Sequence, residues 1–359
     1  MAYDLCRDSA NKNPTTLKDF SRKYSGVFMQ FSCLINTVDT HTLGEPTRVI
    51  TGGIGPVPGL NMVDKRAWFA KNRDYIRRML MFEPRGHQDM FGAVVTEPTS
   101  SKADIGVLFM DSGGYLDMCG HGSIGVVTVI LETGIVPISK KDIEKTLFLD
   151  TPAGIIMARA KLKNSRAIQV TIRNVPSFVC VSLTIRIEEV KHLPVTVAYA
   201  GNYFALVKAD DCGLKITLPH LKRIKELGLK IRERLNSEEK LVNPISGEKV
   251  KVELVEFYHE GSPPHNVVVF GAGQIDRSPC GTGTCAKMAY LHAQNKLPLG
   301  SLYTYQSILG TKLQGTIVKE TQVGKLMTII PEITGSANIT GFQNFVASDD
   351  DPYKTGFLL

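Results

Sequence analysis

Apolar residues in this chain fall in short blocks separated by turn-forming residues. Ile105–Met110 is one, and 146–149, 154–160, 167–172, 178–188 and 194–199 follow, with Pro152, Pro176 and Pro194 as punctuation. Blocks of this length bounded by prolines and glycines read as strands. Further extended stretches run from Phe31 to Thr37, Arg48 to Ile50, onward from Met90-Phe91-Gly92, after Gly201-Asn202-Tyr203-Phe204, and over 250–257 and 266–270. Asp39–Glu45 reads as a loop between two of them, and the tail alternates strand and turn to Gly341. Helical spacing is rarer. Asn61 is placed to cap a helix reaching about Met81, with Phe69, Ile76 and Leu80 on its inner face. Trp68 is structural in that reading. Leu221 to Leu235 is amphipathic in the same way.

Two other helical segments are of a different kind. After Cys119 come Ile124, Val126, Val127, Val129, Ile130 and Leu131, apolar on nearly every side, and after Cys280 come Met288 and Leu291. A helix apolar all round belongs inside its domain. Many short strands with one long buried helix per half predict an α/β (α+β) fold, with curled sheets wrapped around a central helix.

Those two helices begin with the same pattern. Cys119-Gly120-His121-Gly122-Ser123 and Cys280-Gly281-Thr282-Gly283-Thr284 stand 161 residues apart, and the match extends outward at that offset. Phe109 falls on Phe270 upstream, and Pro137 falls on Pro298 downstream. A cysteine just before a helix meets free N–H groups and the positive end of the helix dipole, which favour a thiolate. Two such helices face to face make one anion pocket flanked by two thiols. One sulfur can then remove a proton from a carbon bearing a carboxylate while the other returns one from the opposite side, inverting the centre. N–H groups of Gly120, Gly281 and Thr282 would hold the carboxylate, and Gly122 and Gly283 permit the turn. Contact with both faces of one carbon puts the sulfurs roughly 7 Å apart, far beyond a disulfide. The plainer reading of both residues is that of small buried apolar groups.

Composition narrows the partners. The net charge is +7, but the 42 basic residues are scattered, with a small cluster at Lys222 to Lys230. No basic stripe interleaved with aromatic residues points to nucleic acid. No run of 18 apolar residues suggests a spanning helix. The first 28 residues mix Asp4, Asp8, Lys12, Asp19, Arg22 and Lys23 without an apolar core, unlike a secretory signal, and a cytoplasmic protein is expected. Seven cysteines, an odd number, do not form a disulfide framework. Cys6, Cys33, Cys180 and Cys212 read as incidental thiols, and Cys285 as packing. Gly52-Gly53-Ile54-Gly55-Pro56 lacks the Lys-Ser/Thr ending of a phosphate loop and reads as a turn. A zinc site from Cys119, His121 and Cys280 is possible by residue type, but lacks a second chelating pair of the usual spacing.

Asp276-Arg277-Ser278-Pro279-Cys280-Gly281-Thr282-Gly283-Thr284 and Met118-Cys119-Gly120-His121-Gly122 resemble the two signature motifs of the proline racemase family, which includes hydroxyproline 2-epimerases and trans-3-hydroxyproline dehydratases. The resemblance extends from Met29 to Leu359 through Asp39–Glu45, Glu83–His87, Asn174–Phe178 and Gly356-Phe357. It implies the diaminopimelate epimerase fold: two pseudo-symmetric domains over 29–158 and 159–341, with 342–359 returning to the first and 1–28 as an extension. It also implies a homodimer, cofactor-independent and metal-free chemistry, and a small substrate, proline or a hydroxyproline. Cys119 and Cys280 become the catalytic pair. His121 and Asp276 match residues that contact the ring nitrogen, and Phe91, Phe270 and Leu254 match the pocket wall. Leu116 is a further wall candidate. Family dehydratases typically carry threonine where Cys280 stands, which favours racemisation or epimerisation. Phenyl walls offer a 4-hydroxyl no partner, which favours proline itself, with a 4-hydroxyproline 2-epimerase as the nearest alternative. A non-catalytic proline-binding protein is the alternative of another class. His41, Glu45 and His87 lie in family motifs without a step that the residues alone define.

Overall fold

The computed structural model describes residues 31–237, 241–324 and 326–359, so the expected extension over 1–28 lies outside the described residues. The chain enters the fold with a hairpin of β1 (Cys33–Thr42) and β2 (Glu45–Gly52). The expected loop over Asp39–Glu45 is therefore strand almost throughout, closed by a two-residue turn at Leu43-Gly44. Both turn residues take positive φ, 53° and 102°, the twist that suits a tight hairpin. Buried threonines account for the polar look of the segment. Thr40 donates its hydroxyl to the Thr47 carbonyl, and Thr42 donates to the carbonyl of His121.

The expected helix over 61–81 is two helices, α1 (Met62–Asn72) and α2 (Asp74–Met81), broken at Arg73. Asn61 caps the first by accepting from the Asp64 N–H. At the break, the Arg73 guanidinium bonds the Ile54 carbonyl and lies over the Trp68 ring. Asp74 then opens α2, binding Arg77 and Tyr115. Phe69, Ile76 and Leu80 are buried as the spacing predicts.

The rest of the first half is β3 (Phe91–Thr96), β4 (Ile105–Asp111), β5 (Tyr115–Leu116), α3 (Gly120–Glu132), β6 (Glu144–Thr151), β7 (Gly154–Lys163) and β8 (Arg166–Arg173). The second half repeats the plan with β9 (Phe178–Ile185), β10 (Leu193–Tyr199), β11 (Tyr203–Lys208), α4 (Leu221–Asn236), β12 (Leu254–His259), β13 (His265–Phe270), β14 (Gln274–Asp276), α5 (Gly281–Ala293), β15 (Leu302–Gln306), β16 (Lys312–Val323) and β17 (Leu326–Gly335). A last strand, β18 (Ala337–Ala347), pairs antiparallel with β1. Residues 250–253 are not strand as expected. There the Asn236 side chain exchanges two hydrogen bonds with the Val252 backbone in place of a ladder.

Pairing shows the duplication. β2 and β3 are parallel, as are β11 and β12; β4 and β6 are parallel, as are β13 and β15. The two sets meet where β8 runs antiparallel to β17. Position 158 falls inside β7 and position 342 inside β18, so neither expected boundary coincides with a break between elements. Within the first set, α3 packs on β1, β2, β3, β7, β8 and β18, and every residue from Gly120 to Leu131 is buried. Within the second, α5 packs on β9, β10, β11, β16 and β17, and is buried from Gly281 to Ala289. One apolar cluster includes residues of both helices. Two satellite cores sit under α4 and under α1–α2.

The two buried helices touch at their first residues. A methyl on Gly120 would stand 2.6 Å from the Gly281 Cα, and one on Gly281 would stand 2.7 Å from the Gly120 Cα. Neither helix start tolerates a side chain at that point. Gly120→Ala is therefore expected to push the helix starts apart and to lower the unfolding free energy by roughly 1–3 kcal/mol. Urea denaturation measures this, and a variant as stable as the parent would show that the contact has slack.

Candidate active site

Each helix is capped by its cysteine. Cys119 Sγ accepts from the Gly122 N–H at 3.2 Å, and Cys280 Sγ from the Gly283 N–H at 3.4 Å. Sulfur thus occupies the place that a serine or aspartate oxygen takes at ordinary helix starts. Because Gly120 touches Gly281, the two caps lie on either side of one small space.

That space is a hollow lined by Phe91, Leu116, Met118, Cys119, His121, Asn202, Leu254, Phe270, Asp276, Cys280 and Thr282. Only about 20 Å³ of it is open to the centre of a water-sized sphere. The site is narrow, with room for about one water. The structure brings Cys119, Cys280, His121, Asp276, Thr282, Phe91 and Phe270 to this one place, while Gly120 and Gly281, each next to a lining cysteine, touch one another and do not themselves line it. Leu116 and Leu254 line it too.

Short links hold the polar groups. His121 Nδ1 lies 3.3 Å from Cys119 Sγ and 3.9 Å from Asp276 Oδ2. Asp276 Oδ1 accepts from both the N–H and the hydroxyl of Ser278, while the Ser278 Oγ accepts from the Cys280 N–H. This chain ties Asp276 to the second cap and leaves Oδ2 facing the imidazole. Asn266 anchors the same turn by donating to the Pro279 carbonyl at 2.9 Å. Cys280 holds its position with a backbone of φ 57° and ψ 110°, a conformation disfavoured for a residue with a side chain. Strain of this kind costs on the order of 1–3 kcal/mol and marks sites that the surroundings over-determine. On the apolar side, the rings of Phe91 and His121 meet edge to face at 4.6 Å, and Phe91 meets Phe270 at 6.4 Å.

Sequence reasoning missed Met118 and Asn202. Asn202 donates to the Met118 carbonyl at 2.6 Å and accepts from the Asp117 N–H at 3.3 Å, fixing the turn into Cys119. Nothing in a local pattern joins residues this far apart, although an asparagine after Gly201 is a turn signal. His41 accepts from the Gly44 N–H within the first hairpin. Glu45 is fully buried and accepts from the Arg277 N–H at 2.7 Å, next to Asp276 in sequence. Neither these two nor His87 lines the hollow.

The helix ends favour a thiolate at each cysteine, but burial acts the other way and more strongly. Burial pushes Cys119 well above the ordinary thiol range, and the Gly122 N–H offsets only part of that. Burial also pushes Cys280 up, with Asp276 and Glu256 adding to it. Burial lowers His121, so its imidazole is neutral. One amide hydrogen bond and a partial charge do not offset the removal of a thiolate from water.

Iodoacetamide alkylation followed by mass spectrometry is expected to modify both cysteines slowly at neutral pH, with midpoints above the ordinary thiol range. Because the folded thiols hold their protons longer than unfolded ones, stability should also fall as pH rises above the unfolded value of ~8.5. Rapid alkylation of both residues in the unliganded protein at neutral pH would contradict this electrostatic picture.

Known proteins match the chain over nearly its whole length. The sequence profile described as Proline racemase matches residues 37–358. A proline racemase of Acetoanaerobium sticklandii is 43% identical over 337 residues, covering 92% of this chain and 100% of the relative. A 4-hydroxyproline 2-epimerase of Streptosporangium roseum is 40% identical over 335 residues, with 92% and 100% covered. Among solved structures, a hydroxyproline epimerase from Agrobacterium vitis with bound trans-4-hydroxy-L-proline superposes with a TM-score of 0.86 at 28% identity, covering 92% of this chain and 97% of that one.

Proposed function

Given that the chain belongs to the proline racemase family, we propose that it interconverts L- and D-proline by a two-thiol mechanism without a cofactor. The observation that carries this reading is the pair of cysteine caps on helix starts that touch at Gly120 and Gly281, both sulfurs lining one narrow hollow. In this reading the substrate carboxylate lies against the N–H groups of Gly120, Gly281 and Thr282. The positive helix ends stabilise the charge that spreads into it as Cα loses its proton. The ring ammonium lies between Asp276 Oδ2 and His121. It supplies the positive charge that the lining residues lack, and so offsets the cost of a buried thiolate. One sulfur takes the Cα proton, and the opposite thiol delivers its own to the other face. Phe91, Phe270, Leu254 and Leu116 enclose the ring and exclude water.

The apolar walls favour proline over its 4-hydroxylated form, since a buried hydroxyl without a partner costs about 1–3 kcal/mol. The small free volume implies that the two halves, read as two domains, part to admit the ligand and close on it. A homodimer with one hollow per subunit, and a cytoplasmic location, complete the proposal.

Cys119→Ser and Cys280→Ser, made singly, are expected to lower racemisation by about 10²–10⁴-fold. Polarimetry reads the rate, and deuterium incorporation at Cα in heavy water reads proton exchange. Incorporation distinguishes an enzyme from a protein that only binds proline. Faster turnover of trans-4-hydroxy-L-proline than of L-proline would reassign the substrate, and serine variants as fast as the parent would refute the mechanism.

A further inference from the structure

Beside the start of α5, and outside the lining of the hollow, lies a buried polar group that the reaction above does not use. Glu256, on β12, is fully buried. Its Oε1 accepts from the Tyr305 hydroxyl at 2.7 Å, the Asn266 amide also lies against the carboxyl group, and Oε2 makes no hydrogen bond of ordinary geometry. That second oxygen points at the start of α5. A carbon placed on Gly283 would stand 2.4 Å from Glu256 Oε2 and 3.1 Å from Cys280 Sγ, so a single methyl group would touch both. At the matching point of the other helix, the atoms nearest to a carbon on Gly122 are Cys119 Sγ and the Phe109 ring.

We propose that Glu256 is a positioning residue for Cys280: its carboxyl group keeps the proton on that sulfur and leaves Cys119 as the thiol that ionises first. The inference rests on the two-thiol reading and adds a direction to it. In the resting site the roles of the cysteines are then set by the protein rather than shared evenly.

The surrounding charges support the asymmetry. At Cys119 the Gly122 hydrogen bond, which favours the thiolate, acts more strongly than either carboxylate, Asp276 or Glu45. At Cys280 the order is reversed, with Asp276 and Glu256 each ahead of the Gly283 hydrogen bond. Other titratable groups facing Glu256 are Tyr305 and Tyr303 from β15, Lys287 and Cys285 from α5, and Asp276 from β14. Lys287 is buried without a hydrogen-bond partner, and its Nζ sits 3.0 Å from the centre of the Tyr258 ring. Burial lowers it to about 7, so it carries little charge in the range where either thiol titrates. Burial raises Glu256 to about 7, still below the range in which either thiol titrates. The carboxylate is thus in place before Cys280 can lose its proton.

The test is the pH dependence of alkylation at each cysteine in Glu256→Gln, with Cys119 as the internal reference. The amide keeps the hydrogen bond from Tyr305 and loses the charge. The Cys280 midpoint is expected to fall by about one pH unit, a tenfold gain in thiolate at fixed pH, while that of Cys119 stays in place. Glu256→Asp should remain near the parent. Should Glu256→Gln not fold, Tyr305→Phe removes the bond that favours ionised Glu256, and a smaller shift of the same sign is expected. An unmoved Cys280 midpoint, or equal shifts at both cysteines, would overturn the proposal. Alkylation requires no turnover, so a protein that showed the shift without racemising proline would refute only the reaction.

Discussion

Contact between the backbones of Gly120 and Gly281 is the constraint on which the site depends. It brings two helix starts together without an intervening side chain. Every distance across the hollow follows from that approach, because each sulfur is tied to its own helix by an amide just beyond the contact, Gly122 in one case and Gly283 in the other. The helices can meet this way only if both are buried along most of their length, and that burial is supplied by two sets of strands built on the same plan. Sheet, helix and cysteine are thus successive consequences of one packing arrangement.

The same arrangement sets the electrostatic problem. Concentrating two thiols, a neutral imidazole and one carboxylate in a space that holds about one water makes a free thiolate costly. Helix ends lessen this cost without removing it. In the two-thiol reading, the missing positive charge enters with the ligand, so the site becomes reactive as it is filled. That coupling protects a strong nucleophile from unwanted partners while the hollow is empty.

Much of this is legible in the chain. Uniformly apolar stretches after Cys119 and Cys280 point to buried helices, and the repeated Cys-Gly-x-Gly pattern points to a shared pocket, because both signals are local. What escapes the sequence is non-local. Thr40 and Thr42 look like loop residues until their hydroxyls are seen to bond backbone carbonyls from inside a strand. The break at Arg73 depends on a carbonyl at Ile54. Asn202 reaches the site only through the fold, and the ionisation of the thiols depends on how completely water is excluded, which no spacing of residues reveals.

Pairing of β18 with β1 has a further consequence, for how the molecule is made. The strand that flanks β1 is contributed by residues 337–347, which follow the whole of the second half. The amino-terminal half, although it leaves the ribosome first, lacks its outermost strand until all of the second half has emerged. That second half has β9 through β17 available as one continuous stretch and can be assembled earlier. Completion of the first set of strands therefore waits on one of the last segments of the chain to be made.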